Sequence, residues 1–230
     1  MNRLATVLAF ADERVQPAVR WLPRQGSPTT DRARWTLPAL SGRLVELSGL
    51  GASATLSLAF SLVADAQGRQ EPVAWVACHG SSFFPPDAAA CGVDLDNLPV
   101  VFTPTAARAA RAGERLLRSG AFGLVVLDLA GERPLLPQAL ISRLAGLAEK
   151  HDAVVAVLTA KPAERTSLGS LVSLRAEARR TAFSGGLAQA LGRVERQVPG
   201  RYACRLEVLK DKRRPPGWTH EEIRLGPPGL

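Results

Sequence analysis

Cysteine and histidine are scarce in this chain of 230 residues, with three of each. The cysteines, Cys78, Cys91 and Cys204, lie far apart and form no C-x-x-C pair, and the histidines are equally scattered. Zinc sites need closely spaced ligands, and disulfide frameworks in small secreted domains use even sets of cysteines. We therefore expect reduced, partly buried cysteines and no metal site.

Long hydrophobic runs are absent as well. No apolar run reaches the roughly 18–20 residues that a membrane-spanning helix needs. The apolar stretch at residues 4–11 leads directly into Asp12 and Glu13, which is unlike a secretory signal peptide. The chain is therefore predicted to be cytoplasmic, without contact with a membrane, and its length suits one large α/β domain.

Acidic residues are outnumbered, 21 against 29 lysines and arginines, which gives a net charge of +8. Most of this excess lies in residues 175–214, called here the basic stretch, where eleven basic residues stand against four acidic ones. Such a pattern indicates binding of nucleic acid or of an acidic partner, and a solvated face of an arginine-rich protein is the alternative. The candidate binding residues are Arg175, Arg179, Arg180, Lys210, Lys212, Arg213 and Arg214.

The first 22 residues place apolar side chains at helical spacing, and a linker rich in Pro, Gly, Ser and Thr follows at residues 23–31. A helix tethered in this way either folds back onto the core or docks on another molecule, and the sequence leaves both open. We accordingly divide the chain into a helix with its linker (1–40), a core domain (41–226) and a tail (227–230). The candidate docking residues are Leu4, Val7, Leu8, Val15 and Trp21.

Short apolar strands alternate with helical stretches through the core. Runs such as 124–127 and 154–158 are apolar throughout, which is typical of strands buried on both faces of a parallel sheet. The alternation predicts an α/β fold with a mostly parallel sheet and right-handed crossovers. The predicted strands are 44–47, 73–77, 99–102, 124–127, 154–158, 171–174, 202–209 and 222–225, and the predicted helices are 53–66, 106–118, 136–150 and 184–194.

Residues 44–56 pass from a hydrophobic strand through a turn of small residues into an apolar helix. A working phosphate-binding loop in this setting reads G-x-x-x-x-G-K-[ST]. Counted from Gly49, the second glycine falls on Ala54, the lysine on Thr55 and the hydroxyl residue on Leu56. The loop is thus predicted to lack the ammonium that neutralises phosphate and the hydroxyl that holds Mg²⁺.

Four further segments complete a resemblance of residues 42–225 to the ATPase core of the bacterial recombinase RecA. They are the opening strand at 42–46, the segment 92–98, the strand ending at Asp128, and the K-x-K segment at 208–215. The resemblance implies a RecA-like three-layer core with a degenerate P-loop, and it places Asp128 where the recombinase supports Mg²⁺. The expected remnant of the nucleotide site comprises Gly49, Gly51, Ser53, Thr55 and Asp128.

Departures from the recombinase pattern carry the functional expectation. The family's catalytic glutamate follows the second core strand, where this chain reads Ala-Cys-His-Gly at 77–80. The two DNA-binding loops of the recombinases correspond here to the short segments 129–134 and 161–169. We therefore expect no ATP hydrolysis, no cofactor and no filament of this chain alone. Weak nucleotide binding through backbone donors at 49–53 stays open.

This pattern of losses resembles the ImuA family, which is also described as SulA-like. That resemblance implies an accessory protein of translesion synthesis in the SOS response to DNA damage. Its expected partners are the RecA recombinase and an ImuB-type Y-family-like protein of the mutasome, with DNA as a further candidate. The alternatives are a sequence-independent DNA-binding module and a SulA-type inhibitor of cell division.

Overall fold

An eight-stranded sheet forms the centre of the computed structural model, which describes residues 35–131, 136–182 and 201–226. The strands are β1 (Arg43–Gly49), β2 (Val73–Cys78), β3 (Val100–Thr103), β4 (Leu124–Asp128), β5 (Val154–Ala160), β6 (Leu174–Ala182), β7 (Arg201–Asp211) and β8 (Thr219–Leu225). The helices of the described residues are α1 (Leu37–Leu40), α2 (Thr55–Gly68), α3 (Pro85–Ala90), α4 (Ala106–Arg118) and α5 (Gln138–Lys150).

The strand order across the sheet is β3-β2-β4-β5-β1-β6-β7-β8. Strands β1 to β6 run parallel to one another, and β7 and β8 extend the sheet beyond β6 as antiparallel strands. All residues of β1, β2 and β4 are buried, as expected for strands covered on both faces. The predicted α/β fold with a mostly parallel sheet is therefore confirmed.

Helices cover the two faces of the sheet unequally. The first face carries α2, whose Leu58, Phe60 and Leu62 pack into one core with the inward residues of β1, β6 and β7. The second face carries α4 and α5, which pack over β2, β4 and β5 in another core. Because β1 to β6 run parallel, their carboxyl ends lie at one edge of the sheet, which is where ligands bind in open α/β sheets.

Residues before β1 also belong to the packed core. The indole of Trp35 is buried and donates a hydrogen bond to the carbonyl of Leu58 at 3.1 Å. The backbone N–H of Leu37 donates to Asp65 at 2.8 Å, and Leu40 is fully buried. The segment from Trp35 to Leu40 is thus fastened along α2 by side-chain burial and by two hydrogen bonds.

Most elements lie within two residues of their predicted bounds, and α4 matches its prediction. The strand predicted at 171–174 is wrong, because the observed strand β6 only begins at Leu174 and continues to Ala182. Its alternation of small or apolar residues with charged ones suits a strand with one face buried, a pattern that a search for apolar runs misses. The predicted helix at 184–194 lies outside the described residues.

Candidate functional site at the carboxyl edge of the sheet

The loop after β1 is folded closely upon itself. A methyl group added to Gly49 would lie 2.5 Å from Cβ of Ser53 and 2.6 Å from Oγ1 of Thr55, so only glycine fits here without displacement. The Ser53 and Thr55 hydroxyls hydrogen-bond to one another at 2.8 Å. Gly51 adopts a φ of +63°, which favours glycine. The loop thus directs these two hydroxyls towards each other at the start of α2.

Asp128 ends β4, two strands away from β1 in the sheet, and its side chain is fully buried. Its carboxylate accepts a hydrogen bond from the Ser81 hydroxyl at 2.5 Å and one from the Ala130 N–H at 3.2 Å. Burial raises the pKa of Asp128, and the two hydrogen bonds partly oppose that rise. In this structure Asp128 therefore joins the loop after β4 to the loop after β2.

An open cavity of about 380 Å³ lies at the ends of β2 and β3. It is lined by Cys78, His79, Gly80, Ser81, Phe102, Thr103 and Pro104. The only titratable side chains among these residues are a thiol and an imidazole, so no carboxylate lines the cavity. Phe102, an aromatic side chain in this lining, has 71% of its surface exposed.

A buried carboxylate that the sequence analysis did not single out lies in β1 and contacts the segment that follows β5. Glu46 lies in the middle of β1 with no exposed surface. Its carboxylate accepts hydrogen bonds from the Thr159 hydroxyl at 3.1 Å and from the Leu168 N–H at 3.0 Å, and it forms an ion pair with Lys161. A charged residue in an otherwise apolar strand was the available signal, because buried charges require partners.

The segment 161–170 is fixed to the sheet by these and other contacts. The guanidinium of Arg175, which is 5% exposed, donates to the carbonyls of Pro162, at 2.8 Å, and of Arg165. The ammonium of Lys210 donates to the Ser170 carbonyl at 3.3 Å. Burial, reinforced by the charge of Lys212, lowers the pKa of Lys210. Together with Glu46, these side chains hold the segment along its whole length.

The basic side chains of the basic stretch differ in their partners within the fold. Arg179 is paired with Glu177 at 2.6 Å, and the guanidinium of Arg180 lies 3.8 Å from the centre of the Tyr202 ring. The guanidinium of Arg213 donates to the carbonyls of Ser41 and Gly42 at 2.9 and 3.3 Å. Lys212 and Arg214 are exposed.

Arg43 and Asp211 form a buried ion pair at the opposite, amino edge of the sheet. Their closest atoms are 2.5 Å apart, and the two side chains are 3% and 1% exposed. Burial alone would raise the pKa of Asp211, but hydrogen bonds from the Arg213 N–H, from Arg43 and from Trp218 lower it below its usual value. This pair joins the end of β7 to the start of β1.

The candidate docking residues Leu4, Val7, Leu8, Val15 and Trp21 lie outside the described residues. Within the described ranges, no group of three or more His, Cys, Asp and Glu side chains is arranged to hold a metal ion. No helix among those same residues is long and apolar enough to cross a membrane.

Comparison with known proteins agrees with this architecture. The RecA N-terminal domain family matches residues 7–169, more than two thirds of the chain. The chain belongs to this family. RecA of Clostridium acetobutylicum is 36% identical over 87 residues, which are 38% of this chain and 25% of that protein. RecA of Frankia alni is 30% identical over 123 residues, which are 54% of this chain and 35% of that protein.

The matched regions thus span about a quarter to a third of the length of these RecA relatives.

Proposed function

We propose that this chain is a non-catalytic RecA-like accessory protein of damage-induced mutagenesis. In this role it binds the RecA recombinase and an ImuB-type Y-family-like partner during translesion DNA synthesis. The observation that carries the proposal is the loop at 49–55, which keeps the place and length of a phosphate-binding loop but none of its charged chemistry.

Three features support the absence of ATP hydrolysis. Phosphoryl transfer needs a phosphate cradle, a Mg²⁺ site and a group that orients the attacking water. The lysine position of the cradle is Thr55, whose hydroxyl is bonded to Ser53. The carboxylate of Asp128 is occupied by Ser81 and Ala130, and the cavity at the end of β2 has no carboxylate in its lining. The degenerate P-loop and the lack of enzymatic activity are therefore part of this proposal.

The fixed segment 161–170 supports a role other than strand exchange. In the recombinases the loop at this place is long and flexible, as the resemblance implies. Here Glu46, Arg175 and Lys210 hold the corresponding segment by side-chain hydrogen bonds to its backbone. A segment held in this way is suited to presenting a constant surface to a protein partner.

Subunit-docking surfaces that a RecA-like core has by descent are the proposed means of contact. Lys210 and Lys212, in the segment that resembles K-x-K, would face the recombinase subunit at the end of a filament. Lys212 is exposed, and Lys210 is partly buried beside Ser170. The ImuB-type partner would use a different surface, for which the N-terminal residues 1–22 are the candidate.

The decisive experiment measures association of the purified chain with recombinase assembled on single-stranded DNA, beside recombinase alone and DNA alone, at two salt concentrations. We expect binding that requires the recombinase. The double charge reversal Lys210→Glu/Lys212→Glu should weaken it, whereas the matched reversal Lys150→Glu/Arg205→Glu, at exposed positions elsewhere, should not.

Two other outcomes would replace the proposal. Binding to bare DNA alone, weakening steeply with salt, would identify a DNA-binding module. Absence of any recombinase binding would favour the SulA-type inhibitor of cell division. A parallel titration with a fluorescent ATP analogue tests the nucleotide site separately. Saturable, Mg²⁺-dependent binding would contradict the proposed loss of that site.

A further inference from the structure

The solvent-facing side of α4 carries a row of four exposed arginines, Arg108, Arg111, Arg115 and Arg118. At 3.6 residues per turn these positions fall within about 80° of the helix circumference and extend over about 15 Å along its axis. The opposite side of α4, which includes Ala109, Ala110 and Leu117, is buried against the sheet. Helical periodicity therefore gathers the arginines into one straight row, called here the α4 arginine row.

Most of the charge in this row is not neutralised. Within the part of the chain that the structure describes, no acidic side chain pairs with Arg108, Arg111 or Arg115. Arg118 contacts Glu114 at 2.8 Å, and Arg143 of α5 contacts the same carboxylate oxygen at 3.0 Å. One carboxylate thus lies between two guanidiniums, so the row and Arg143 together carry a net charge of +4.

The α4 arginine row differs from the basic stretch in whether its guanidiniums have partners within the fold. In the basic stretch, Arg175 and Arg213 donate to backbone carbonyls and Arg179 is paired with Glu177. Those guanidiniums have partners within the fold. The α4 arginine row presents three guanidiniums whose donors are directed to solvent, so it is the more available site for an external anion.

The chemistry of the row favours a polyanion over a protein surface. Stable protein interfaces centre on desolvated aromatic or aliphatic side chains. The partly buried apolar neighbours of the row are Ala107, Ala112 and Leu116, and the last two pack against the core of the second face. Phosphate binding needs no such anchor, because arginine donates two parallel hydrogen bonds to phosphate and releases bound counterions from nucleic acid. The row is as long as about four nucleotides of rise on one DNA strand.

We propose that the α4 arginine row binds the phosphate backbone of DNA without reading its base sequence. The row lies on the second face of the sheet and shares no residue with the Lys210–Lys212 segment. This inference is therefore independent of recombinase binding. It assigns direct DNA contact to a surface that the charge distribution along the sequence did not indicate.

The test is fluorescence anisotropy with a labelled oligonucleotide of about 30 nucleotides, single-stranded and as a duplex, over a range of salt concentrations. The variant Arg108→Gln/Arg111→Gln/Arg115→Gln removes three charges, and glutamine retains a good helix propensity. The matched control Arg69→Gln/Lys150→Gln/Arg205→Gln removes three exposed charges outside the row and outside the Lys210–Lys212 segment. We expect the α4 variant to bind roughly tenfold or more weakly, with a salt slope smaller by about 2, and the control to bind within about threefold of the unmodified chain.

Three results would overturn the inference: no binding of the unmodified chain to either oligonucleotide at low salt, equal loss in both triple variants, or equally tight binding of poly-glutamate that depends on the same arginines. The thermal unfolding midpoint of each variant checks its fold. If the triple variant is unstable, the single change Arg111→Gln takes its place and should weaken binding by about two- to fivefold. Binding to recombinase in the absence of DNA, measured on the same variants, should stay unchanged, and its loss would concern the proposed adaptor role instead.

Discussion

Removing the carboxylate of Glu46 should destabilise the protein more than its single position suggests. Three groups lose their acceptor in Glu46→Ala: the Thr159 hydroxyl, the Leu168 N–H and the Lys161 ammonium. Breaking a buried ion pair from one side costs about 3–5 kcal/mol, and Lys161 retains 16% exposure through which water can solvate it. We therefore expect a loss of about 3 kcal/mol in the free energy of unfolding, a large part of the 5–15 kcal/mol typical of a domain.

Urea unfolding followed by tryptophan fluorescence measures this loss. The matched control is Ser48→Ala, two residues further along the same face of β1, which removes one hydrogen bond to the Ala176 carbonyl and should cost about 1 kcal/mol. The double variant Glu46→Met/Lys161→Met removes both charges, so no unpaired charge is left buried and much of the lost stability should return.

Hydrogen exchange at Leu168 separates the role of Glu46 in the segment 161–170 from a general loss of stability. The Leu168 N–H donates directly to Glu46. Its exchange should therefore be faster in Glu46→Ala than in Ser48→Ala when the two are compared at urea concentrations that give the same free energy of unfolding. The reasoning is refuted if Glu46→Ala unfolds with the same midpoint as Ser48→Ala, or if Leu168 exchanges at the same rate in both.

Two further predictions concern acid stability and the loop after β1. Although burial opposes it, hydrogen bonds with His220 and Ser61 and the charge of Arg224 lower the pKa of Glu222 from 4.5 to about 2. The resulting stabilisation, on the order of 3 kcal/mol, is complete above pH 4.5 and is lost as the pH falls towards 2. In Glu222→Gln the urea midpoint should therefore decline less steeply over that pH interval. An equally steep decline in the variant would contradict this. Gly49→Ala should destabilise by about 1–3 kcal/mol, because its methyl group would meet Ser53 and Thr55. Gly68→Ala, with no atom within 4 Å of the added methyl group, should be neutral or stabilising, and equal thermal midpoints of the two variants would count against this account.

The elements that the sequence predicted well are those whose signal is local. The uniformly apolar runs at β4 and β5 and the helical periodicity of α4 each lie within a few residues, so the parallel sheet and its second-face helices could be inferred. The polar network around Glu46 could not, because its partners Thr159 and Leu168 are 113 and 122 residues away in the chain. A carboxylate in an apolar strand signals that partners exist but does not identify them.

The basic stretch shows a second limit of reasoning from sequence. Its net charge was evident, but whether a guanidinium faces solvent or a backbone carbonyl depends on contacts between distant segments, such as Arg213 with Ser41 and Gly42. The four arginines of α4 are equally visible in the sequence, and helical periodicity places them on one side of the helix. A count of charge along the chain nevertheless favours the longer C-terminal stretch. The roles assigned to the loop at 49–55, to Asp128 and to the N-terminal residues stay predictions.

The buried pair of Arg43 and Asp211 bears on where the protein can be cut. The family match ends at residue 169, yet the carboxylate that neutralises Arg43 is supplied by β7, more than forty residues later. A fragment ending at 169 would keep every strand from β1 to β5 but leave the Arg43 guanidinium buried without a counter-charge and the inner face of α2 without the strands β6 and β7. We therefore expect the matched stretch to need strands β6 and β7, which lie beyond it, in order to fold stably.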